Sequence, residues 1–221
     1  MVRKGEPWGA PASGPPDLEV RGGDAELAAA ARDHPGARVR FVPDATSDLA
    51  RAVGIGGTPR EQPQELPLDA LALDGLGADT ARLAVNMVVL GVAPDRLRAW
   101  SRSAPCHVTI DGRAVFEGPA TTVVVANGQF LGGLDVVPRG HPGDGRCEVQ
   151  VYAMRPAARR AMRARLPSGT HVPHPGIHQF AGRSVAVRFA RPRPLAIDGR
   201  SRPPRPALAL RVVPEAVVVL A

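Results

Sequence analysis

The sequence predicts an α+β chain that is mainly β, and three features support this prediction. Short apolar runs rich in β-branched residues recur from residue 68 to the C-terminus, as in buried strands. Turn residues separate these runs, because Gly and Pro number 24 each. Helical composition is confined to residues 24–32, 46–53 and 156–166. Many short strands joined by turns indicate a β-sandwich-like domain.

The first 64 residues divide into an arm and a small α/β unit. Residues 1–21 are rich in Pro and Gly, so we expect a poorly ordered arm. Residues 22–64 are predicted to form the α/β unit. Its predicted elements are a helix over 24–32 with Asp24 as N-cap, a strand over 38–42, a helix from Thr46 or Ser47 to 53, and the start of a linker over 54–67.

Residues 65–221 are predicted to form the β-rich domain. Asp111-Gly112 separates two of its apolar runs and predicts a tight hairpin turn. A single helix over 156–166 interrupts the strands. The predicted strands are 68–73, 82–89, 107–110, 113–116, 123–126, 134–137, 147–152, 184–189, 195–197, 207–213 and 216–220.

The composition restricts the classes of function. No apolar run approaches the ~20 residues of a membrane helix. The N-terminus lacks the apolar core of a signal peptide, so we expect a cytoplasmic protein. The net charge of +7 is carried by arginine, which reflects either coding bias or attraction to anionic membrane lipids or phosphates as partners. Aromatic residues make up only 4%, so we expect no nucleic-acid partner. The sequence does not indicate an oligomeric state.

Residues 121–151 have a distinctive order of elements. An apolar strand ends at Asn127-Gly128, and a pair of glycines, a short strand and a proline-containing loop follow. Gly143-Asp144-Gly145 then leads into an alternating strand. This order closely resembles the C-terminal domain of the diacylglycerol kinase-like lipid kinases, and the resemblance extends to the C-terminus and, more weakly, back to Gly22.

The resemblance implies ATP-dependent phosphorylation of a lipid hydroxyl at a membrane surface. It also implies that residues 65–221 form a β-sandwich-like lipid-kinase C-terminal domain. Only 21 residues precede Gly22, so we expect residues 22–64 to be a shortened remnant of the nucleotide-binding domain. The same resemblance implies that the protein uses ATP and Mg²⁺.

The first nucleotide motif of the family is a Gly-Gly-Asp-Gly-Thr loop at the start of a helix. Gly22, Gly23 and Asp24 match it and are therefore candidates for nucleotide binding, but Ala25 and Glu26 replace the last two residues. A carboxylate suits a helix N-terminus and repels a phosphate there. An ordinary turn with a helix cap is the alternative interpretation.

The second nucleotide motif is Pro-Leu-Gly-Thr-Gly-Asn-Asp. Thr46 and Asp48 match it and are further nucleotide-binding candidates. The glycines are absent, which removes the close backbone approach that they permit. Asp44 adds a negative charge to the same loop.

The family's general base is the Glu of an Asp-Gly-Glu motif, and the matching residues here are Asp198-Gly199-Arg200. Arg200 stands at the base position and cannot accept a proton near neutral pH. The catalytic candidates are therefore Arg200, in an altered role, and Asp198 as a substitute base. A hairpin turn without catalytic function is the alternative.

Asp144 matches the family's Mg²⁺ ligand, together with the carbonyls of His141 and Arg146. A metal-free Asp-Gly turn is the alternative. His171, His174 and His178 have a spacing seen in transition-metal sites but are predicted to lie in a loop. The arginines of the 156–166 helix form either a solvated face or a membrane contact.

The altered motifs predict a degenerate lipid-kinase homologue, a pseudokinase with weak or lost activity and a retained lipid- or phosphate-binding role. ATP and Mg²⁺ are implied by the resemblance, while the altered loops argue against tight binding of either. Two alternatives stay open. One is a working kinase with a rearranged site that uses Asp198 or Asp48, and the other is a regulatory or structural module.

Overall fold

The computed structural model describes residues 8–56, 63–74 and 83–221. Within these ranges strands outnumber helices, so the predicted α+β, mainly β class is confirmed. The strands, in chain order, are β1 (Ala10–Pro11), β2 (Leu18–Gly22), β3 (Arg38–Pro43), β4 (Gln64–Asp74), β5 (Leu83–Ala84), β6 (Met87–Gly91), β7 (Ala104–Ile110), β8 (Arg113–Ala120), β9 (Thr122–Ala126), β10 (Phe130–Leu131), β11 (Leu134–Asp135), β12 (Cys147–Tyr152), β13 (Ile177–Gly182), β14 (Ser184–Ile197) and β15 (Arg200–Leu220).

The α-helices are α1 (Asp24–Asp33), α2 (Asp48–Val53) and α3 (Arg159–Arg165). Short 3₁₀ turns flank α3 on both sides. The predicted helix spans are therefore confirmed in outline. The predicted N-cap is wrong by one residue, because Gly23 caps α1 and Asp24 lies inside its first turn.

Most strands belong to one large sheet whose main path runs β1-β4-β15-β14-β6-β9-β12-β13. The pairs along this path are antiparallel. The α/β unit joins the same sheet, since Val218–Leu220 of β15 pairs in parallel with Arg38–Arg40 of β3. β2 lies parallel to β3 on its other side. One strand therefore connects the small unit to the β-rich domain.

The central strand β9 is buried on both faces. Val123 and Val125 pack into one apolar cluster, and Val124 and Ala126 pack into another that also contains Met162 of α3. This explains why the strand is a continuous apolar run rather than an alternating one. A third cluster packs α1 and α2 against β3, β4 and the end of β15.

The arm predicted over residues 1–21 is wrong for the described part from residue 18. Leu18 and Val20 pack against the cluster under α1 and α2, and their strand pairs with β3. Residues 1–7 lie outside the described residues. The end of the linker predicted over 54–67 is also wrong, because β4 starts at Gln64. Residues 57–62, within that linker, and residues 75–82 lie outside the described residues.

Two pairs of predicted strands are in fact single long strands. The runs 184–189 and 195–197 both belong to β14, and 207–213 and 216–220 both belong to β15. The prolines that suggested breaks lie where the pairing is irregular, as at Arg188–Leu195 and at Val213–Val217. β13 was not predicted. The predicted turn at Asp111-Gly112 is present, and both of its residues have positive φ angles.

Candidate functional site

The N-terminus of α1 meets the β14–β15 turn and the segment before β6, and polar side chains gather at this junction. Asp24, Ser47, Asp48, Asn86 and Asp198 are all buried there. Buried polar groups require hydrogen-bond partners. The partners in this cluster show what each predicted site residue does in the fold.

Asp24 ties both predicted nucleotide loops together. Its Oδ1 accepts hydrogen bonds from Ser47 Oγ at 2.6 Å and from the Leu49 backbone N–H at 3.2 Å. Its Oδ2 accepts from Asn86 Nδ2 at 2.9 Å. Burial raises the pKa of Asp24 to about 7, against the opposing effect of the Ser47 hydrogen bond, and the nearby charge of Asp198 adds to the increase.

The two loops also touch directly. A Cβ placed on Gly23 would lie 2.9 Å from Thr46 Oγ1, so a larger residue would require the Thr46 side chain to move. Thr46 donates from its backbone N–H and its hydroxyl to Asp44 Oδ1, and these bonds lower the pKa of Asp44. The Asp44 N–H in turn donates to the Gly22 carbonyl at 2.9 Å. The two loops therefore bind each other through Asp24 and the Gly22 carbonyl, which belong to the first predicted nucleotide motif.

Asp48 links α2 to the glycine pair of the central stretch. Its carboxylate accepts hydrogen bonds from the backbone N–H groups of Gly132 and Gly133, the latter at 2.7 Å. The structure thus gives Asp48 a bridging role between the α/β unit and the loop between β10 and β11. Both carboxylate oxygens are engaged in these bonds.

Asp198 lies in the turn between β14 and β15, with a positive φ of 46°. Its carboxylate accepts from the backbone N–H groups of Val85, Asn86 and Met87 at 2.9–3.0 Å. Burial raises the pKa of Asp198 to about 6, while these three hydrogen bonds oppose the increase. The side chain fastens the turn to the start of β6, which is the function expected of a structural turn residue.

Glu26 and Arg200, two of the residues that depart from the family motifs, form an ion pair across the junction. Glu26 Oε2 also accepts the Gly23 backbone N–H at 3.0 Å. The Glu26 carboxylate therefore occupies a backbone donor at the N-terminus of α1, where an anion binds favourably. Both side chains stay partly exposed, with 54% of Arg200 and 37% of Glu26 accessible.

Asp144 belongs to a different group of carboxylates. Its Oδ1 accepts the Arg146 N–H at 3.0 Å, as in an Asp turn, and its charge adds to the burial that raises the pKa values of Asp69 and Glu148. Asp144 is thus a single carboxylate beside two others, and the Mg²⁺ site expected at Asp144 and nearby carbonyls stays a prediction. The described residues contain no group of three or more His, Cys, Asp or Glu side chains arranged to hold a metal.

The three histidines do not converge on a metal centre. His171 is buried, with Nε2 3.1 Å from the Val136 carbonyl, and burial lowers its pKa. His174 Nδ1 accepts the Gly176 N–H at 2.9 Å. The ring of His178 packs at 5.0 Å from the ring of Phe116.

Asn86 is the site residue that sequence reasoning missed. Its Nδ2 donates to Asp24 and to the Phe130 carbonyl, and its N–H donates to Asp198. The signal was a single amide between Val85 and Met87 in an otherwise apolar run. An isolated buried amide requires long-range partners, and these could have been sought among the acidic motif residues.

The fold and its polar junction define a kinase-like β-sandwich protein. Residues 76–221 match the family described as the YegS C-terminal NAD kinase beta sandwich-like domain, and the chain belongs to that family. The predicted resemblance to the diacylglycerol kinase-like lipid kinases is confirmed. No curated protein matches the chain in sequence.

Three solved structures illustrate the similarity of fold. A diacylglycerol kinase from Bacillus anthracis str. Sterne has a TM-score of 0.71 at 17% identity, covering 92% of this chain and 77% of its own. An NAD kinase from Archaeoglobus fulgidus in complex with ATP has a TM-score of 0.52 at 13% identity, covering 93% and 78%. A yeast NADH kinase complexed with NADH has 0.51 at 11%, covering 93% and 61%. Within the described residues, no helix is long and apolar enough to cross a membrane.

Proposed function

We propose that this protein is a diacylglycerol kinase-like protein whose phosphoryl transfer is weak or lost and which retains a lipid- or phosphate-binding role. The Glu26–Arg200 ion pair is the observation that carries the proposal. It joins the residue that alters the first nucleotide motif to the residue that replaces the family's base.

The pair opposes catalysis in two ways. A phosphate approaching the start of α1 meets the Glu26 carboxylate, which already accepts the Gly23 N–H. At the base position the Arg200 guanidinium has no lone pair with which to take a proton from a lipid hydroxyl. Phosphoryl transfer depends on positioning and electrostatic stabilisation, so both changes act on the reaction directly.

The two acidic alternatives for a base are already engaged. Asp198 accepts three backbone N–H groups and Asp48 accepts two. A carboxylate committed in this way is a poor acceptor for a substrate proton, since its bonds to the fold must break first. We therefore favour loss of the base over its replacement.

Binding of an anionic group is supported by a hollow beside α1. Arg32, Arg200 and Arg202 line it together with alanine side chains of the helix and with Asp198. Arg32 also bonds to Asp33 and Arg200 to Glu26, which leaves Arg202 without a carboxylate partner of this kind among the described contacts. Guanidinium groups bind phosphate oxygens through paired N–H donors. In this proposal Arg200 has a binding role in place of the family's chemical role, and that role does not require Mg²⁺ at Asp144.

The decisive experiment combines Mg-ATP titration with a kinase assay on diacylglycerol. If the protein bound nucleotide with a micromolar Kd, nucleotide at 100 times that concentration would raise the free energy of unfolding by about 2.7 kcal/mol and so raise the melting temperature. We expect no rise in melting temperature. We also expect no labelled lipid product from the wild type, from Arg200→Glu, or from the double variant Glu26→Thr/Arg200→Glu, because the second loop stays altered.

Different results would reject specific parts of the proposal. A clear gain of activity in Arg200→Glu would identify a kinase held back by one residue. Robust wild-type activity that Asp198→Asn abolishes would identify Asp198 as a substitute base. Asp144→Asn serves as a comparison, since activity lost there and in no other variant would point to the metal instead.

A further inference from the structure

Trp100 is the only large hydrophobic side chain that is exposed among the residues the structure describes, with 79% of its surface accessible. It lies in the loop between β6 and β7. An indole exposed to this degree loses the favourable burial of its apolar surface. Such a residue on an otherwise well-packed fold indicates a contact surface.

The loop that carries Trp100 is held in place by a buried arginine. Arg159 is only 3% exposed, and its Nη1 donates to the carbonyls of Arg98, Ala99 and Ser101 at 2.6–3.2 Å. Its Nη2 donates to the Met154 carbonyl at 3.1 Å. Burying a guanidinium is costly, so four carbonyl bonds are needed to offset it. Arg159 therefore holds the backbone on both sides of Trp100 in place.

The other side of the loop is fastened in the same way. Arg193 Nη2 donates to the Arg102 carbonyl at 2.8 Å and to the Thr121 carbonyl at 3.0 Å. Within the loop, Ser101 Oγ accepts the Arg98 N–H at 2.9 Å. Trp100 thus stands between two arginine-held points, which lowers the conformational entropy lost on contact with a partner.

Positive charge surrounds the indole. Trp100, Arg102 and Arg155 line one shallow open hollow, and no acidic residue is among its lining residues. The sequence between Glu148 and Asp198 contains arginines but no Asp or Glu. The nearest acid along the loop is Asp95, whose carboxylate lies 3.8 Å from Arg96 Nε. The electrostatic potential around Trp100 is therefore positive, which favours contact with an anionic partner.

We propose that Trp100, Arg102 and Arg155, together called the Trp100 surface, dock this protein on an anionic phospholipid bilayer. The inference gives the lipid-binding part of the proposed function a location and to that extent rests on it. Tryptophan favours the membrane–water interface, and each nearby arginine is worth about 1 kcal/mol on an anionic leaflet. A single-stranded nucleic acid is the weaker candidate, because its bases stack on several aromatic residues in succession.

The test is flotation with vesicles of phosphatidylcholine alone and of phosphatidylcholine mixed with phosphatidylglycerol. We expect binding to the mixed vesicles only, weakening as salt is added. Trp100→Ala should weaken it roughly tenfold, and Arg102→Gln/Arg155→Gln roughly 30-fold. The control Arg113→Gln/Arg188→Gln removes two exposed arginines elsewhere and should bind like the wild type.

Tryptophan fluorescence gives a second readout, since the chain has only Trp8 and Trp100. Mixed vesicles should shift the wild-type emission to the blue and leave Trp100→Phe unchanged. Equal binding of the wild type and Trp100→Ala, or an equal loss in the control pair, would overturn the inference. A response to oligouridylate but not to vesicles would assign the surface to nucleic acid and also overturn it. A kinase assay on the same samples keeps this outcome separate from the proposed loss of activity.

Discussion

Asp24 and Asp198 both accept hydrogen bonds from Asn86, Asp24 from its side chain and Asp198 from its backbone. Asn86 donates its side-chain Nδ2 to Asp24 at 2.9 Å and its backbone N–H to Asp198 at 3.0 Å. Both carboxyls are buried and each has a raised pKa. The residue that opens α1 and the residue that turns β14 into β15 therefore form one electrostatic unit.

The first prediction concerns pH. The ordinary pKa of both carboxyls is 3.8, and the folded values are about 7 for Asp24 and about 6 for Asp198. Between these limits the folded state holds protons that the unfolded state has released, so the free energy of unfolding should fall as pH rises from about 4 to about 7. Urea denaturation at a series of pH values should show a shallower fall for Asp24→Asn. The exposed control Asp74→Asn should keep the wild-type slope, and a stability that rises over this interval through Asp24 would contradict the prediction.

The second prediction concerns Asn86. Asn86→Ala removes the donor to the Phe130 carbonyl and leaves Asp24 Oδ2 with only the Leu49 N–H at 3.2 Å, and a buried acceptor that loses its partner costs ~1–3 kcal/mol. We expect a loss of about 2–4 kcal/mol in the free energy of unfolding, measured by denaturant titration. The half-buried neighbour Gln129→Ala should change stability by less than about 1 kcal/mol. An equal loss of free energy of unfolding in the two variants would mean that the hydrogen bonds of Asn86 do not stabilise the fold as predicted.

The third prediction concerns Gly128. A Cβ there would lie 2.2 Å from Asn86 Oδ1, and Asn86 is held by hydrogen bonds and cannot move aside. Gly128→Ala should therefore cost about 3 kcal/mol. Gly132→Ala is the matched control, because its φ of 59° carries only the left-handed penalty of ~1–2 kcal/mol and no atom lies within 4 Å of the new Cβ. Thermal melts of both variants give the comparison, and a Gly128→Ala protein as stable as the wild type would show that the contact relaxes freely.

The fourth prediction concerns the Glu26–Arg200 pair. Because both side chains are substantially exposed, a double-mutant cycle with Glu26→Gln and Arg200→Gln should give a coupling energy of only ~0.2–1 kcal/mol, which falls as salt is added. A separate Glu26→Ala variant should cost more than Glu26→Gln, since Gln keeps an acceptor for the Gly23 N–H and Ala does not. A coupling that exceeds this range and ignores salt would show that the pair is desolvated in solution.

The sequence predicted those parts of the fold that local chemistry determines. The starts of α1 and α2, the Asp111-Gly112 turn and β12 each depend on residues close together in the chain. The continuity of β14 and β15 was not predicted, because a proline in the sequence indicates the end of a strand. In the structure, pairing with neighbouring strands on both sides of the prolines keeps each strand continuous. β13 was missed because its pairing with β12 is the interaction that defines it.

The same distinction holds for the candidate site. The local motifs led to Asp24, Thr46, Asp48, Asp198 and Arg200, and the structure gathers these residues at one junction. Their partners were not predictable from spacing, since Asn86 lies 62 residues from Asp24 and Asp198 lies 111 residues from Met87. The catalytic, nucleotide-binding and Mg²⁺ roles of these residues, with Asp144 for the metal, stay predictions.

β15 has a mechanical consequence. The strand starts just after the Asp198 turn and ends beside β3, so one continuous strand, with a pairing irregularity at Val213–Val217, runs from the candidate site into the α/β unit. A hinge between the two parts would have to break the pairing of that strand, whereas enzymes that seal a substrate away from water usually close one part over another. The anionic ligand of the proposed function would therefore bind at an open junction, without the energetic cost of closure and in contact with solvent.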